Sequence, residues 1–190
     1  NGQIYYAGNR RLMEEHQLSL SSVQTKAEEL AQQGKTPIFF ADQKQILGLV
    51  AIADPIKPSS NSAITKMQEL GLEVIMLTGD NEQTAAAIGQ QAGLTQIIAQ
   101  VLPQDKASHI QKLQQQGKKV LMIGDGINDA PALVTADVGM AIGAGTDIAI
   151  EAADLILVRS DLLDAFDTIR LGNEVIRNIK QNLFWAFFYN

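Results

Sequence analysis

The sequence contains no cysteine, so disulfide bridges and thiolate metal sites are both excluded. A cysteine-free chain is compatible with a reducing compartment. Positive charge is also short: 15 Lys and Arg stand against 21 Asp and Glu, a net charge of −6. That balance argues against nucleic acid as a partner. There are 2 histidines; His16 and His109 lie far apart, without a spaced carboxylate cluster, and read as solvated surface rather than metal ligands. No apolar run reaches the roughly 20 residues that a bilayer span takes. The closing stretch "LFWAFFYN" reads as the first part of such a run, cut short. No signal peptide opens the chain, which begins at Asn1 rather than Met and so reads as a trimmed or processed start.

What is present is an ordinary globular mixture of 190 residues, 46% hydrophobic and 19% charged, enough for one sizeable core or for one domain plus part of another. Residues 3–7 read as a short strand and 22–33 as a helix with Val23, Ala27, Leu30 and Ala31 on one face, stopped by Gly34. "TPIFFAD" and "QILGLVAIAD" read as two strands joined by a polar turn. "DPIKPSS" follows as a linker or hinge. The rhythm then alternates. Helices over 60–70, 82–92 and 104–116 separate apolar strands at "EVIMLT", "QIIA" and "KKVLMIG", with further short units at "VGMAI" and "DLILV". A long helix runs from about Leu162 to the end. Strands that are apolar throughout and separated by helices imply a parallel sheet covered on both faces. Met67, Met76, Met122 and Met140 read as core filler by their position in these units.

In such a sheet, loops at the carboxyl ends of the strands line the ligand crevice. "MIGDGINDAP" places Asp125 and Asp129 in one such loop, with Gly124 and Gly126 permitting a sharp bend and close approach of a ligand. Pro131 fits the first turn of a following helix. One account makes Asp129 a helix cap and Asp125 a turn residue. It explains one acid better than two. The other account is Mg²⁺, which takes hard oxygen ligands completed by water and phosphate. A partner for phosphate is available in "EVIMLTGDN", where the Thr78 hydroxyl and the free N–H groups of a helix start could hold a phosphoryl oxygen. Asp80 as a plain cap is the alternative. Lys106 could neutralise phosphoryl charge, although most lone lysines are simply solvated. The joint presence of all three in one alternating segment is what raises them. "GAGT" at 143–146 reads as a structural turn feeding a short helix, since no lysine follows in P-loop register.

"TGDN", the "PQDK" lysine and "GDGINDAP" resemble the phosphorylation-domain motifs of P-type ATPases, within the haloacid dehalogenase superfamily. "DPIKP" and "AIGAGTDIAIEAADLILV" resemble the heavy-metal-transporting branch, "AGN" at 7–9 part of its nucleotide-binding domain, and "QNLFWAFFYN" the start of a membrane helix in copper pumps, where a Tyr-Asn pair helps define the metal pathway. The resemblance covers nearly the whole chain. It implies an α/β fold, a Rossmann-like, haloacid dehalogenase-like parallel sheet with helices on both faces, preceded by a partial α+β nucleotide-binding domain with antiparallel strands. The implied division is 1–53 for the end of the nucleotide-binding domain, 54–160 for the phosphorylation domain, and 161–190 for a helix leading into a truncated membrane segment. The implied roles are Asp125 and Asp129 for Mg²⁺, Asn128 on phosphate, Thr78 and Gly79 on the transferring phosphoryl with Asp80 in support, Lys106 on its charge, Gly8 and Asn9 at the adenine or ribose of ATP, and Asp54 at the hinge. The implied cofactors are Mg²⁺ and ATP. The implied cargo of the parent pump is Cu⁺, and the implied location is the cytoplasmic side of a membrane protein.

The departures are informative. No Asp-Lys-Thr-Gly motif exists here to supply the phosphorylated aspartate, and the nucleotide domain's Ser-Glu-His-Pro and glycine-rich motifs are absent. So are the transmembrane helices with their Cys-Pro-Cys ion site. In a complete pump all of these would lie before Asn1 or after Asn190. Asp54 ends an apolar strand but cannot replace the nucleophile. Pro55 removes an N–H that would hold the phosphoryl group, and no Thr sits two residues on. The chain by itself is therefore expected to be inactive. The rival readings are a stand-alone phosphohydrolase of the superfamily, which would need an Asp-x-Asp strand not found here, and a non-catalytic binding module of the same fold. Arg170, Arg177 and Lys180 before the apolar end fit a cytoplasmic membrane flank; an amphipathic helix with Trp185 and Phe187–Phe188 buried against the sheet is the alternative.

Overall fold

The computed structural model describes residues 3–53, 55–125, 127–143 and 147–189. In chain order the elements begin with β1 (Tyr5–Gly8), α1 (Arg10–Glu15), α2 (Gln24–Gln32), β2 (Thr36–Asp42) and β3 (Ile46–Ile52). Then follow α3 (Pro58–Glu69), β4 (Ile75–Leu77), α4 (Glu82–Ala92), β5 (Gln96–Ile98) and α5 (Pro103–Gln115). The chain finishes with β6 (Leu121–Gly124), a 3-10 turn over Ile127–Asp129, α6 (Ala130–Thr135), β7 (Val138–Ile142), α7 (Asp147–Ala152), β8 (Leu155–Leu157) and α8 (Leu162–Tyr189). They form two compact units, one of residues 1–56 and 75–101, the other of 57–74 and 102–190.

In the first unit β1, β2 and β3 make an antiparallel sheet, with Ala7 opposite Phe40 and Ile38 opposite Val50. Alternation along β2 sends Phe39 and Ala41 into a core with Met13, Leu18 and Ala27. The β2–β3 turn is closed by Asp42, whose Oδ1 accepts from the backbone N–H groups of Lys44 and Gln45, both at 2.8 Å. Those donors hold its carboxyl below the usual carboxylate range. Gly34 ends α2 with a φ of 74°, a left-handed conformation that costs glycine little. β4 and β5 pair in parallel, Ile75 with Gln96 through Leu77 with Ile98. α4 lies between them in sequence.

In the second unit β6, β7 and β8 form a parallel sheet. Ile110, Met122, Ala132 and Leu133 make one buried cluster, and Met67, Met140, Leu157 and Ala165 another. A Cβ on Gly139 would meet the Leu133 carbonyl oxygen at 2.7 Å, so glycine is what lets α6 lie against β7. The start of α8 packs against α3, with the Lys66 ammonium 5.5 Å from the centre of the Phe166 ring.

The strands expected from periodicity are present, in the expected α/β arrangement of parallel strands preceded by antiparallel ones. Among the described residues the parallel strands form a two-stranded and a three-stranded ladder. Three-residue apolar strands carry almost no register information, so periodicity finds the strands without finding their partners. The short helix α1 escapes the sequence reading because it is too short to show a period; its one signal is the Asn9 cap. The burial of the α8 aromatics is also corrected: Trp185, Phe187 and Phe188 are 55%, 79% and 71% exposed, because α8 runs on past the elements that cover Ala165. Among the described residues no helix is long and apolar enough to cross a membrane.

Candidate functional site

Two strand-end turns carry the candidate residues, one in each unit. In the first unit β4 ends in Thr78–Asn81. The β4–β5 ladder continues through Thr78, whose N–H donates to the Ile98 carbonyl at 3.0 Å, and the Val101 N–H donates back to the Thr78 carbonyl at 3.0 Å. The Thr78 hydroxyl donates to Asp80 Oδ2 at 2.9 Å and accepts from the Asp80 N–H at 3.1 Å. Its single hydrogen is therefore spent inside the turn. The other Asp80 oxygen, Oδ1, accepts from the hydroxyl of Thr36 on β2 at 3.2 Å. Asp80 is not the cap of α4; Asn81 is, accepting from the Thr84 N–H at 3.0 Å. Thr84 is fully buried, and its hydroxyl accepts from the Asn81 amide at 2.9 Å and donates to the Lys35 carbonyl at 3.1 Å. Gly79 is exposed, and a Cβ there would lie 3.4 Å from the Val101 carbonyl oxygen.

Sequence reasoning overlooked Thr36, Lys35 and Thr84 in this turn. Thr36 and Lys35 stand more than 40 positions upstream, and no spacing rule connects them to it. The Asn81 cap was findable, since asparagine is a preferred N-cap residue, but Thr84 three residues on is not the Glu or Gln that completes a capping box.

In the second unit β6 ends at Gly124, Asp125 follows it, and Asp129 closes the 3-10 turn. Asp129 is buried, 8% exposed. Its Oδ1 accepts from the Lys106 ammonium at 2.6 Å, with the two side chains 11% and 15% exposed. Asp129 occupies the N-cap position of α6 yet makes no side-chain cap bond, which removes the helix-cap account: its carboxylate is turned to the lysine instead. Pro131 sits in the first turn of α6. Gly124 has a reason of its own. A Cβ there would lie 2.6 Å from the Asp129 Cβ and 2.9 Å from its Oδ2, so the missing side chain is the space into which the carboxylate packs. It is not among the glycines with positive φ; room, rather than a bend, is what this position requires. Asp125 and Asn128 are exposed. Among the described residues no group of three or more His, Asp or Glu gathers as a metal cage. Mg²⁺ needs no such cage, because one or two carboxylates suffice when phosphate and water complete the shell. Asp125 and Asp129 fit that demand chemically, with Oδ1 of Asp129 already committed to Lys106.

Of the remaining candidates, Asn9 caps α1, its Oδ1 accepting from the Leu12 N–H at 3.0 Å. Gly8 makes room for that same Leu12, whose Cδ2 a Cβ would meet at 2.5 Å. Asp54, Gly126, residues 144–146 and Asn190 lie outside the described residues. His16 is exposed and stacks on Tyr6, the ring centres 4.0 Å apart. Met67, Met122 and Met140 are buried, as packing filler should be, whereas Met76 on β4 is only half-buried.

Residues 1–137 match the haloacid dehalogenase-like hydrolases, and the chain belongs to that family. Across its full length it is similar to P-type ATPases. It is 51% identical over 189 residues to the copper-exporting P-type ATPase of Bacillus subtilis, covering 100% of this chain and 24% of that protein. It is also 51% identical over 192 residues to "Probable copper-importing P-type ATPase A" of Enterococcus hirae, covering 26% of it. The chain thus spans about a quarter of the length of these curated relatives. Among solved structures it is similar to a zinc-transporting PIB-type ATPase in the E2.Pi state, with a TM-score of 0.71 and 34% identity over 96% of this chain and 29% of that one. It also resembles the catalytic domain of the CPx-ATPase CopB-B, with a TM-score of 0.59 and 34% identity over 70% of this chain and 52% of that one.

Proposed function

We propose that this chain is part of the ATP-hydrolysing machinery of a heavy-metal pump whose transported ion is Cu⁺. The observation that carries the reading is the ion pair between half-buried Lys106 and buried Asp129, whose carboxylate packs into the space left by Gly124 at the end of β6. A pair taken out of water needs close compensation, and replacing it with apolar residues is often no worse for stability. A buried aspartate held by a lysine, with a second, exposed aspartate after the same parallel strand, supplies the oxygens for Mg²⁺ and the positive charge that phosphoryl transfer calls for. The copper-transporting names of the relatives support the choice of cargo. They differ over direction, so direction is not part of the proposal.

In this reading Thr78 and Gly79 hold the transferring phosphoryl group, with Asp80 in support. Asn128 contacts phosphate and Lys106 offsets its charge. Asp125 and Asp129 hold Mg²⁺, which when bound draws charge from the phosphoryl oxygens. Gly8 and Asn9 line the site for the adenine or ribose of ATP, and Asp54 acts at the hinge between 1–53, the nucleotide-binding part, and 54–160, the phosphorylation part. Residues 161–190 approach the membrane from the cytoplasmic side. The exposure of Leu183, Phe184, Trp185, Phe187 and Phe188 beyond Arg170, Arg177 and Lys180 supports this.

The test is phosphorylation of the full-length protein that carries this chain. With radiolabelled ATP, Mg²⁺ and Cu⁺ it should form an acid-stable, hydroxylamine-labile phosphoprotein, while these 190 residues alone should form none. Absence of copper stimulation would remove copper as cargo. A labelled Asp54, or turnover of p-nitrophenyl phosphate by these residues alone, would favour the stand-alone phosphohydrolase.

A further inference from the structure

We infer that Thr36 is a positioning residue for the phosphoryl-handling turn: it holds Asp80 so that the Thr78 hydroxyl can leave Asp80 for a phosphoryl oxygen. The inference rests on the role proposed for Thr78 and is carried by three hydrogen bonds. The Thr78 hydroxyl has one hydrogen, and it points to Asp80 Oδ2 at 2.9 Å. To donate to phosphate the hydroxyl must turn away from Asp80. A carboxylate that loses a donor in a half-buried turn either finds another or competes for the first. The second donor is already in place, since Thr36 reaches Asp80 Oδ1 at 3.2 Å from β2, 44 positions away in sequence. The third bond, from the Asp80 N–H to the Thr78 oxygen at 3.1 Å, is unaffected by a turn of the hydroxyl hydrogen.

The neighbouring residue braces the other side of the same turn. The Lys35 carbonyl accepts from Thr84, the residue that Asn81 engages at the start of α4. Residues 35 and 36 thus fix the turn from outside its own sequence, one through a backbone oxygen and one through a hydroxyl. Only the hydroxyl touches the group that must release Thr78. With Thr36 absent, Thr78 would be the one side-chain donor left to Asp80 among the described residues, and Asp80 would hold its hydrogen against any incoming oxyanion.

Thr36→Val tests this without disturbing the strand, because valine is isosteric and suits the ladder position opposite Ile52. In the full-length protein, phosphoprotein formation from inorganic phosphate and Mg²⁺ should need about tenfold more phosphate in Thr36→Val, the scale of one hydrogen bond to a charged acceptor. KM for ATP should stay within about twofold, and Thr36→Ser should restore the phosphate response. On an Asp80→Asn background Thr36→Val should have no further effect, because the competing charge is gone. An unchanged phosphate response in Thr36→Val overturns the inference. So does a tenfold loss that persists on Asp80→Asn, and so does a loss of active protein with no shift in phosphate dependence. If the unsubstituted protein forms no phosphoprotein from ATP, the pump reading itself fails and this inference with it.

Discussion

The turns after β4 and β6 both place an aspartate beyond a parallel strand, and they hold it by different chemistry. Asp80 is held by neutral donors, the hydroxyls of Thr78 and Thr36. Asp129 is held by a full positive charge from Lys106 on α5, in a setting from which water is largely excluded. Hydroxyl hydrogens rotate at little cost, so the first arrangement can exchange partners. An ammonium cannot leave a buried carboxylate such as Asp129 without stranding that charge. The comparison therefore divides the labour: the β4 turn is built to rearrange, the β6 turn to stay fixed. It also predicts that the two turns respond to substitution on different scales.

The largest effect should come from Lys106→Met, which leaves Asp129 buried without its counter-charge. Removing one partner of such a pair costs about 3 kcal/mol, read as a shift in the urea midpoint of the second unit. Adding Asp129→Asn should recover most of that loss, since the stranded charge rather than the missing contact is what destabilises. A shift below about 0.5 kcal/mol for the single variant, the size seen at exposed ion pairs, would put the two turns on one footing and end the comparison.

Legibility in the sequence follows the same division. Strand positions, the Gly34 stop and Pro131 at the start of α6 were readable because each is a local rule: a period, a left-handed glycine, a proline at a helix start. Asp125 and Asp129 were read together as a Mg²⁺ pair and Lys106 as a partner for phosphate, yet the direct bond between Lys106 and Asp129 was not foreseen. The lysine's bond to Asp129 spans 23 positions, and nothing local distinguishes a lysine aimed at phosphate from one aimed at a carboxylate. Gly124 was expected to supply a bend and close approach of a ligand and instead supplies space for a side chain of the protein itself, which only the packed position of Asp129 reveals. Thr36 was invisible for the same reason: as the first residue of an alternating strand it reads as a strand residue and nothing more. Local chemistry can be read along the chain, whereas bracing from a distant element cannot.

Thr84→Val probes the fixed part of the rearranging turn and should have the intermediate effect. The variant keeps the shape of the fully buried side chain and removes the hydroxyl that serves both Asn81 and the Lys35 carbonyl. Leaving those groups without a partner should cost about 1.5 kcal/mol, with hydrogen exchange at the Thr84 and Ala85 amides accelerated first. Thr84→Ser should be close to the unsubstituted protein. If serine is as damaging as valine, the methyl group's packing rather than the hydroxyl anchors this turn, and neutral hydrogen bonding is not what distinguishes it.

The smallest effect should be at Asp42, the other turn of the first unit in which neutral donors hold a carboxylate. Two backbone N–H groups hold its carboxyl below the usual range. A folded-state value below the unfolded one, about 3.9, means the contribution is complete above that unfolded value and is lost as the pH falls through the lower folded value. Asp42→Ala should therefore melt slightly below the unsubstituted protein at pH 7, and the gap should close in acid, starting near pH 4. Because the donors are neutral, the gap at pH 7 should also be insensitive to salt, whereas an ion-paired carboxylate at the surface would lose its advantage as salt rises. A gap that stays constant from neutral to strongly acid solution would show that the Asp42 side chain acts through the turn conformation alone. A gap that shrinks with salt at pH 7 would show that nearby lysine charge, not the N–H pair, supports it, and the division between neutral and charged bracing would then fail at its simplest example.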